Sequence, residues 1–280
     1  MKTVGFIDYY LDEWHANNYP EWIKNQSGGE FEVKFAYAAS EPTIEGRISN
    51  SRWAEEHEIT LVESIEELLD LSDCIIVLSP DNPEMHYKLS KEALKTGKPV
   101  YIDKTFAESK ADAQKIFEIA EKYNTPCFSS SALRFSEKLA AVKKDDIASI
   151  VSFGGGSVSN YIIHQLEPVM ILLGSDAERV MYVGNESSFS WIVSFKNRKT
   201  VYINILDGDF SMRITHTDYN ETVDINDDFF KGLINALIEF FKTGKIPVSH
   251  SDTVKLMALR ECCIKAMEKP LIWFEILKRG

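Results

Sequence analysis

Apolar residues recur along this chain with two different periods, and the change from one to the other divides it. In the first half, short strand-like runs alternate with segments in which apolar residues return every three or four positions. The runs are 3–8, 31–39, 74–78, 99–103 and 126–130; the one at 74–78 is unbroken, too short for a helix and flanked by Ser-Asp and Ser-Pro, as a strand buried on both faces is. Between them, 9–26 reads as a long loop plus a helix. Residues 64–71 read as a short helix with a capping box of Ser64 and Glu67, and 109–123 as a helix capped by Ser109, with Ile116, Ala120 and Tyr123 on one face beside Ala113 and Phe117. The strand at 74–78 must stop at Pro80. Asn82 can then cap a helix that holds Pro83 in its first turn, lines Met85, Leu89 and Ala93 along its apolar face, and ends at Gly97. Strand, helix, strand within one sheet means a parallel pair with a right-handed crossover, so both strands end on the same edge. That edge gathers Ser79, Pro80, Asn82, His86, Asp103 and Lys104, where open α/β sheets bind ligands.

The second half changes character. Residues 147–153 form a strand closed by Gly154, Gly155 and Gly156. Residues 161–173 read as a helix ended by Gly174, with Pro168 inside it as a kink that frees the carbonyl of His164. Phe189, Trp191, Val193 and Phe195 then alternate, as do Val201, Ile203 and Ile205 beyond a turn at Asn197, which is the period of antiparallel strands. Residues 213–216 and 223–225 extend that sheet. Two helices follow, 227–243 and 251–268, the first with Phe229, Leu233, Leu237, Phe240 and Phe241 inward.

The central block carries a resemblance. The stretch SPDNPEMH, then AL and GKPVYIDK, resembles the Gfo/Idh/MocA (glucose-fructose oxidoreductase and inositol dehydrogenase) family, which has T-P-x-x-x-H followed by AL..GK.V..EKP. Here Asp103, Lys104 and Thr105 stand for EKP, so the lysine is kept, the acid is exchanged and the proline is absent. Arg134, and His164 with Glu167 ahead of LLG, continue the likeness through most of the chain. The fold class it implies, in agreement with the periodicities, is α/β: a Rossmann-type doubly wound parallel sheet in 1–125, followed by an α+β domain with a mixed, mainly antiparallel sheet in 126–280. No Pro/Gly-rich linker separates them.

The resemblance also implies chemistry. In the family the lysine of EKP, and the histidine and aspartate of a D-x-x-x-H stretch, flank a sugar hydroxyl and the nicotinamide. Those places are Lys104, His164 and Asn160 here. A histidine can accept the hydroxyl proton and a lysine can stabilise the developing alkoxide, whereas Asn160 carries no charge to raise the basicity of His164. The expected cofactor is NAD or NADP, in contact with Asp8, Tyr10, Glu41, Ser79, Pro80, Asn82, His86, Asp103, Lys104 and Arg134. Glu41, following the second strand, favours NAD. The expected activity is oxidation or reduction of a sugar, polyol or related hydroxy compound; the other reading is a ligand-binding or regulatory protein on the same scaffold.

One loop departs from the family. Aligning the first strand places Asp8, Tyr10 and Glu13 where the family has the glycines of G-x-G-x-x-G. Those glycines permit a tight turn and let backbone amides reach a pyrophosphate. The segment DYYLDEWH instead presents carboxylates, with no Lys or Arg before Lys24, so weak dinucleotide binding is expected. It also offers Tyr9, Tyr10, Trp14, Tyr19 and Trp22, rings suited either to a sugar or to packing beneath a loop or partner. Asp12, His15 and His86 have no tight metal-ligand spacing, and no metal is assigned.

Composition narrows the partners. A net charge of −12 repels phosphate backbones and anionic membrane surfaces, so nucleic acid and membrane are not expected. The four cysteines lack C-x-x-C spacing and read as reduced thiols, and MKTVGFID reads as a strand rather than a signal peptide. A cytoplasmic protein is expected, with a sugar-like small molecule as partner and a homo-oligomer formed through the C-terminal sheet.

Overall fold

The computed structural model describes residues 1–276 apart from Ser175 and Glu186. The chain forms two compact units. The first holds Met1–Ser130 and Leu233–His250; the second holds Ser131–Gly232 and the chain from Ser251 on.

In the first unit the apolar runs are strands and the periodic segments helices: β1 (Lys2–Asp8), α1 (Trp14–Gln26), β2 (Phe31–Ala38), α2 (Asn50–Glu56), β3 (Thr60–Leu61), α3 (Ile65–Leu71), β4 (Cys74–Val77), α4 (His86–Ser90), β5 (Val100–Ile102), α5 (Lys110–Lys122) and β6 (Cys127–Phe128). The sheet order is β3-β2-β1-β4-β5-β6 and every pairing is parallel, as expected. Between β1 and β4 the order reverses, which leaves the crevice at the carboxyl ends of these strands where such sheets bind ligands. Ile75, Ile76 and Val77 are wholly buried, so the unbroken run at 74–78 does mark a strand covered on both faces, and Phe6, Ile7, Tyr101 and Ile102 on the strands beside it are wholly buried too. Ser64 and Ser109 cap their helices by accepting from Glu67 N and Asp112 N.

Two local expectations are corrected. Asn82 makes no cap: no side-chain hydrogen bond closes the turn after it, and its amide nitrogen donates to Glu84 Oε1 at 3.0 Å. The segment after it is not one helix but a 3₁₀ turn (Pro83–Met85), the short α4 and a second 3₁₀ turn (Ala93–Lys95). Close packing also fixes one glycine. A Cβ on Gly5 would lie 2.5 Å from Ser72 Oγ and 2.6 Å from Leu68 Cδ2. Gly5→Ala is therefore expected to cost about 1–3 kcal/mol through overpacking between β1 and α3, read as a thermal midpoint lowered by several degrees in a calorimetric scan.

The second unit contains α6 (Glu137–Ala140), β7 (Ile147–Gly154), α7 (Val158–Tyr161), α8 (Ile163–Leu173), β8 (Ala177–Tyr182), β9 (Phe189–Phe195), β10 (Thr200–Ile205), β11 (Ser211–His216) and β12 (Asn220–Asp224). After these come α9 (Phe229–Thr243), α10 (His250–Ala266) and β13 (Trp273–Glu275). The seven strands run β12-β11-β7-β10-β9-β8-β13, with β7 and β10 parallel and the other pairs antiparallel. The helix expected from Tyr161 starts at Ile163, because Ser157 caps a separate turn, α7, by accepting from Asn160 N. It then runs through Pro168. From Leu233 on, α9 belongs to the first unit, where Phe240 meets Phe128 at 4.9 Å between ring centroids and Phe241 meets Phe31 at 5.8 Å. The four cysteines are buried free thiols. No helix among the described residues is long and apolar enough to cross a membrane.

Candidate functional site

At the end of β1 the chain turns without a glycine, and its own side chains take the hydrogen bonds that a bound anion would otherwise receive. Glu13 is the N-cap of α1: Oε2 accepts from His15 N at 2.7 Å and Oε1 from Ala16 N at 2.5 Å. First-turn amides at a helix N-terminus are the usual seat of a phosphate, where free N–H groups and the helix dipole both favour negative charge. Here a carboxylate that is 2% exposed fills that seat. Neighbouring donors are spent in the same way. Tyr9 N donates to Asp8 Oδ1 at 2.6 Å, and Leu11 N to Asn50 Oδ1 at 2.9 Å. Glu41, which follows β2, accepts from Asn50 N at 2.9 Å. Tyr10 is buried, its hydroxyl 3.4 Å from Asp81 Oδ2, and burial first, then Asp81, pushes it up to about 12.

Burial dominates the electrostatics of this loop. It raises Asp8 well above the ordinary carboxylate value, with Glu13 adding to the rise, while Asp8 Oδ2 is buried with no hydrogen-bond partner. It also raises Glu13 from 4.5 to about 6, against the lowering effect of His15 and the two amides. A carboxyl with a raised folded pKa binds its proton more tightly in the folded state. Its stabilisation is full below the unfolded value of 4.5 and is lost as pH rises through about 6. The shift corresponds to about 2 kcal/mol. Glu13→Gln is thus expected to flatten the fall in thermal midpoint across that pH window, measured by scanning calorimetry.

The edges of β4 and β5 carry a second cluster. Asp103, 1% exposed, accepts from Tyr101 Oη at 3.0 Å through Oδ1, and its Oδ2 lies 2.6 Å from His15 Nδ1 and 3.9 Å from Lys104 Nζ. Burial alone would raise Asp103, but His15, Lys104 and His86 outweigh it and hold the carboxyl below its usual range. Ser79 sits at φ 71° with Oγ donating to Asn82 O at 3.1 Å, and Pro80 is buried beside it. His86 is wholly buried, with Nδ1 3.1 Å from Phe106 O and Nε2 2.5 Å from Leu78 O, so it ties the β4 edge to the residues after β5. The Lys104–Thr105 peptide is cis. Asp12 accepts from Ile48 N and lies 3.7 Å from Arg47, and among the described residues no group of three or more His, Cys, Asp or Glu side chains is arranged to hold a metal ion.

In the second unit His164 is 8% exposed, its Nδ1 2.6 Å from Ser131 Oγ and its ring edge-on to Tyr161 and Phe210. Arg134 Nε donates to Glu167 Oε1 at 2.7 Å, and Ser131 N donates to Glu167 Oε2 at 2.6 Å. Asn160 is half-buried in α7. The structure thus groups Asp103 and Lys104 in one unit and His164 and Arg134 around Ser131 and Glu167 in the other. Sequence reasoning missed the Glu13 cap and the His15–Asp103 pair. A carboxylate just ahead of the first helical turn was a signal for the former; 88 residues separate the members of the latter.

Comparison with known proteins agrees with this architecture. Residues 20–131 match the model of an oxidoreductase family with an NAD-binding Rossmann fold. No curated protein matches the chain by sequence. Among solved structures, GenD2 from gentamicin A biosynthesis in complex with NAD is similar at a TM-score of 0.81, with 10% identity, 98% of this chain and 96% of that chain covered. UDP-N-acetylglucosamine 3-dehydrogenase GnnA from Acidithiobacillus ferrooxidans gives 0.77, with 12% identity and 95% and 97% covered. An oxidoreductase from Agrobacterium radiobacter in complex with NAD+, L-tartaric acid and magnesium also gives 0.77, with 13% identity and 98% of each chain covered. At these identities the likeness is one of fold. The residues of the β1–α1 loop do not fit the diphosphate of a dinucleotide, because Glu13 already holds the two α1 amides that would cradle it.

Proposed function

We propose that this chain, whose residues 20–131 match the model of the Gfo/Idh/MocA oxidoreductase family, is an oxidoreductase of a sugar, polyol or related hydroxy compound that holds a nicotinamide dinucleotide only weakly. The observation that carries the reading is Lys104, kept at the end of β5 with its ammonium 3.9 Å from the buried Asp103 carboxylate. A cation fixed at that edge can donate to an oxygen that gains negative charge during reaction. His164, with Nδ1 against Ser131 Oγ, has a set ring orientation and suits proton transfer at a substrate hydroxyl. NAD is favoured over NADP on the acid at Glu41, although Glu41 is engaged with Asn50 N. Support for the substrate class comes from similar structures, a dehydrogenase of a nucleotide sugar and an oxidoreductase with a bound hydroxy acid. Assembly through the second unit's sheet and residence in the cytoplasm are part of the same proposal.

A second reading has its own observation. Glu13 in the phosphate seat and Glu41 bonded to Asn50 N favour a ligand-binding protein that does no redox chemistry. Turnover of a panel of sugars, polyols and hydroxy acids at millimolar NAD+ and NADP+ separates the two. Turnover with one compound class supports the first reading; none with any compound supports the second.

A further inference from the structure

Neither the family's lysine nor its histidine accounts for His15. This residue sits in the first turn of α1, 7% exposed, stacked on Tyr19 at 5.1 Å and with Nδ1 2.6 Å from Asp103 Oδ2. A carboxylate at that distance fixes the tautomer with the proton on Nδ1, sets the orientation of the ring and makes Nε2 its proton-accepting nitrogen. Asp103 is itself fixed by the Tyr101 hydroxyl at 3.0 Å, and the same carboxylate keeps the Lys104 ammonium within 3.9 Å. A base, its orienting carboxylate and a cation therefore lie together at one strand edge, in one unit, and the Glu13-capped helix leaves that edge without a phosphate seat. What such a cluster performs without a dinucleotide is proton transfer.

We propose that His15, positioned by Asp103 and assisted by Lys104, removes and returns a proton on carbon next to the carbonyl of a keto compound of the sugar class, an exchange that needs no dinucleotide. The step is balanced. The C–H bond breaks as the proton goes to His15 Nε2, the electron pair moves through the new C=C bond onto the carbonyl oxygen, and Lys104 stabilises the enolate. Return of the proton to the same carbon restores the ketose and the enzyme; return to the former carbonyl carbon does so only as the proton of the α-hydroxyl passes to the former carbonyl oxygen and the new C=O forms at the α carbon, giving the isomer with nothing oxidised or reduced overall. The idea rests on the substrate class proposed above, not on redox activity. Charged and titratable groups near His15 include Asp103 at the end of β5, Lys104 beyond it, and Glu13 and Tyr19 on its own segment; His86 faces the same Asp103, and Asp8 at the end of β1 interacts with Glu13 and Asp103.

The test uses the full chain, no dinucleotide, and free ketoses (dihydroxyacetone, D-fructose, L-sorbose) in D2O, with loss of the α C–H signal followed by proton NMR. Wild type is expected to exchange at least one ketose roughly tenfold or more above buffer, a margin of about 1.4 kcal/mol in barrier. His15→Gln and Lys104→Met should each remove most of that rate while unfolding at the wild-type temperature. Asp103→Asn, whose amide can donate to Nδ1 and select the wrong tautomer, should slow exchange, and Asp103→Glu should recover part of the rate, a rescue that a purely structural role would not produce. Exchange at the buffer rate in wild type overturns the proposal, as does a folded His15→Gln protein that exchanges like wild type. Failure of the redox reading would appear in the NAD+ turnover panel and would leave this exchange untouched.

Discussion

Lys104→Met is expected to lower turnover of the hydroxy compound by about 10²-fold or more, and His164→Ala by a similar factor, with little change in thermal unfolding. The lysine supplies charge at an oxygen that becomes more negative in the transition state, and methionine keeps the length of the chain while removing that charge. Its loss should therefore fall on kcat more than on KM. Lys104 also sits 3.9 Å from Asp103, and this pair is lost with it; the buried Asp103 retains His15 at 2.6 Å, which limits the structural cost. For His164 the ring is buried against Tyr161 and Phe210, so alanine leaves a small cavity, and His164→Gln serves as the companion variant. Asn160→Asp should raise activity, because it restores the carboxylate that the family motif carries at that place. Steady-state rates with NAD+ at millimolar concentration check all four, and a wild-type rate in both Lys104→Met and His164→Ala would remove these residues from the site.

Replacing Asp8, Tyr10 and Glu13 together by glycine should tighten NADH binding, and Glu13→Ala alone should deliver most of the gain. A carboxylate about 5 Å from a phosphate charge, at an effective dielectric near 20, costs about 3 kcal/mol. That is roughly 10²-fold in affinity. In this chain the carboxylate does more than repel, since it accepts from the amides of His15 and Ala16, so a diphosphate would first have to displace it. Removing the cap opposes the gain only modestly, by about 1 kcal/mol of helix stability. The same account gives a pH dependence. Glu13 is raised to about 6, so wild-type affinity for NADH should increase as pH falls through that value, and the Glu13→Ala protein should lack the increase. Calorimetric titration at one salt concentration and two pH values measures both effects.

The alternation of patterns made much of the fold legible. The unbroken run at 74–78 could only be a strand covered on both faces, and the alternation at 189–195 and 201–205 could only be an antiparallel pair. What escaped were short edge elements. β13 is three residues long and pairs with β8, whose AERVMY sequence mixes charge into the alternation. The helix expected after Asn82 is divided into short turns, and no side-chain hydrogen bond from Asn82 caps the first of them. The site was legible in part. Lys104, Asp103 and Ser79 were placed on one edge from the strand-helix-strand order alone. Glu13 was read as a charge facing phosphate, whereas it folds back onto its own helix, an unusual role because glutamate is not among the favoured N-caps. His15 and Asp103 meet only through the fold, and no local pattern announces such a pair.

Calorimetric titration of the wild-type chain with NADH near neutral pH bears most directly on the central claim that Glu13 holds the phosphate seat. The account predicts a Kd on the order of 1 mM or weaker, with no saturation at micromolar nucleotide. Micromolar binding by the wild type would contradict it, since the α1 amides would then have to be available to the diphosphate rather than to Glu13.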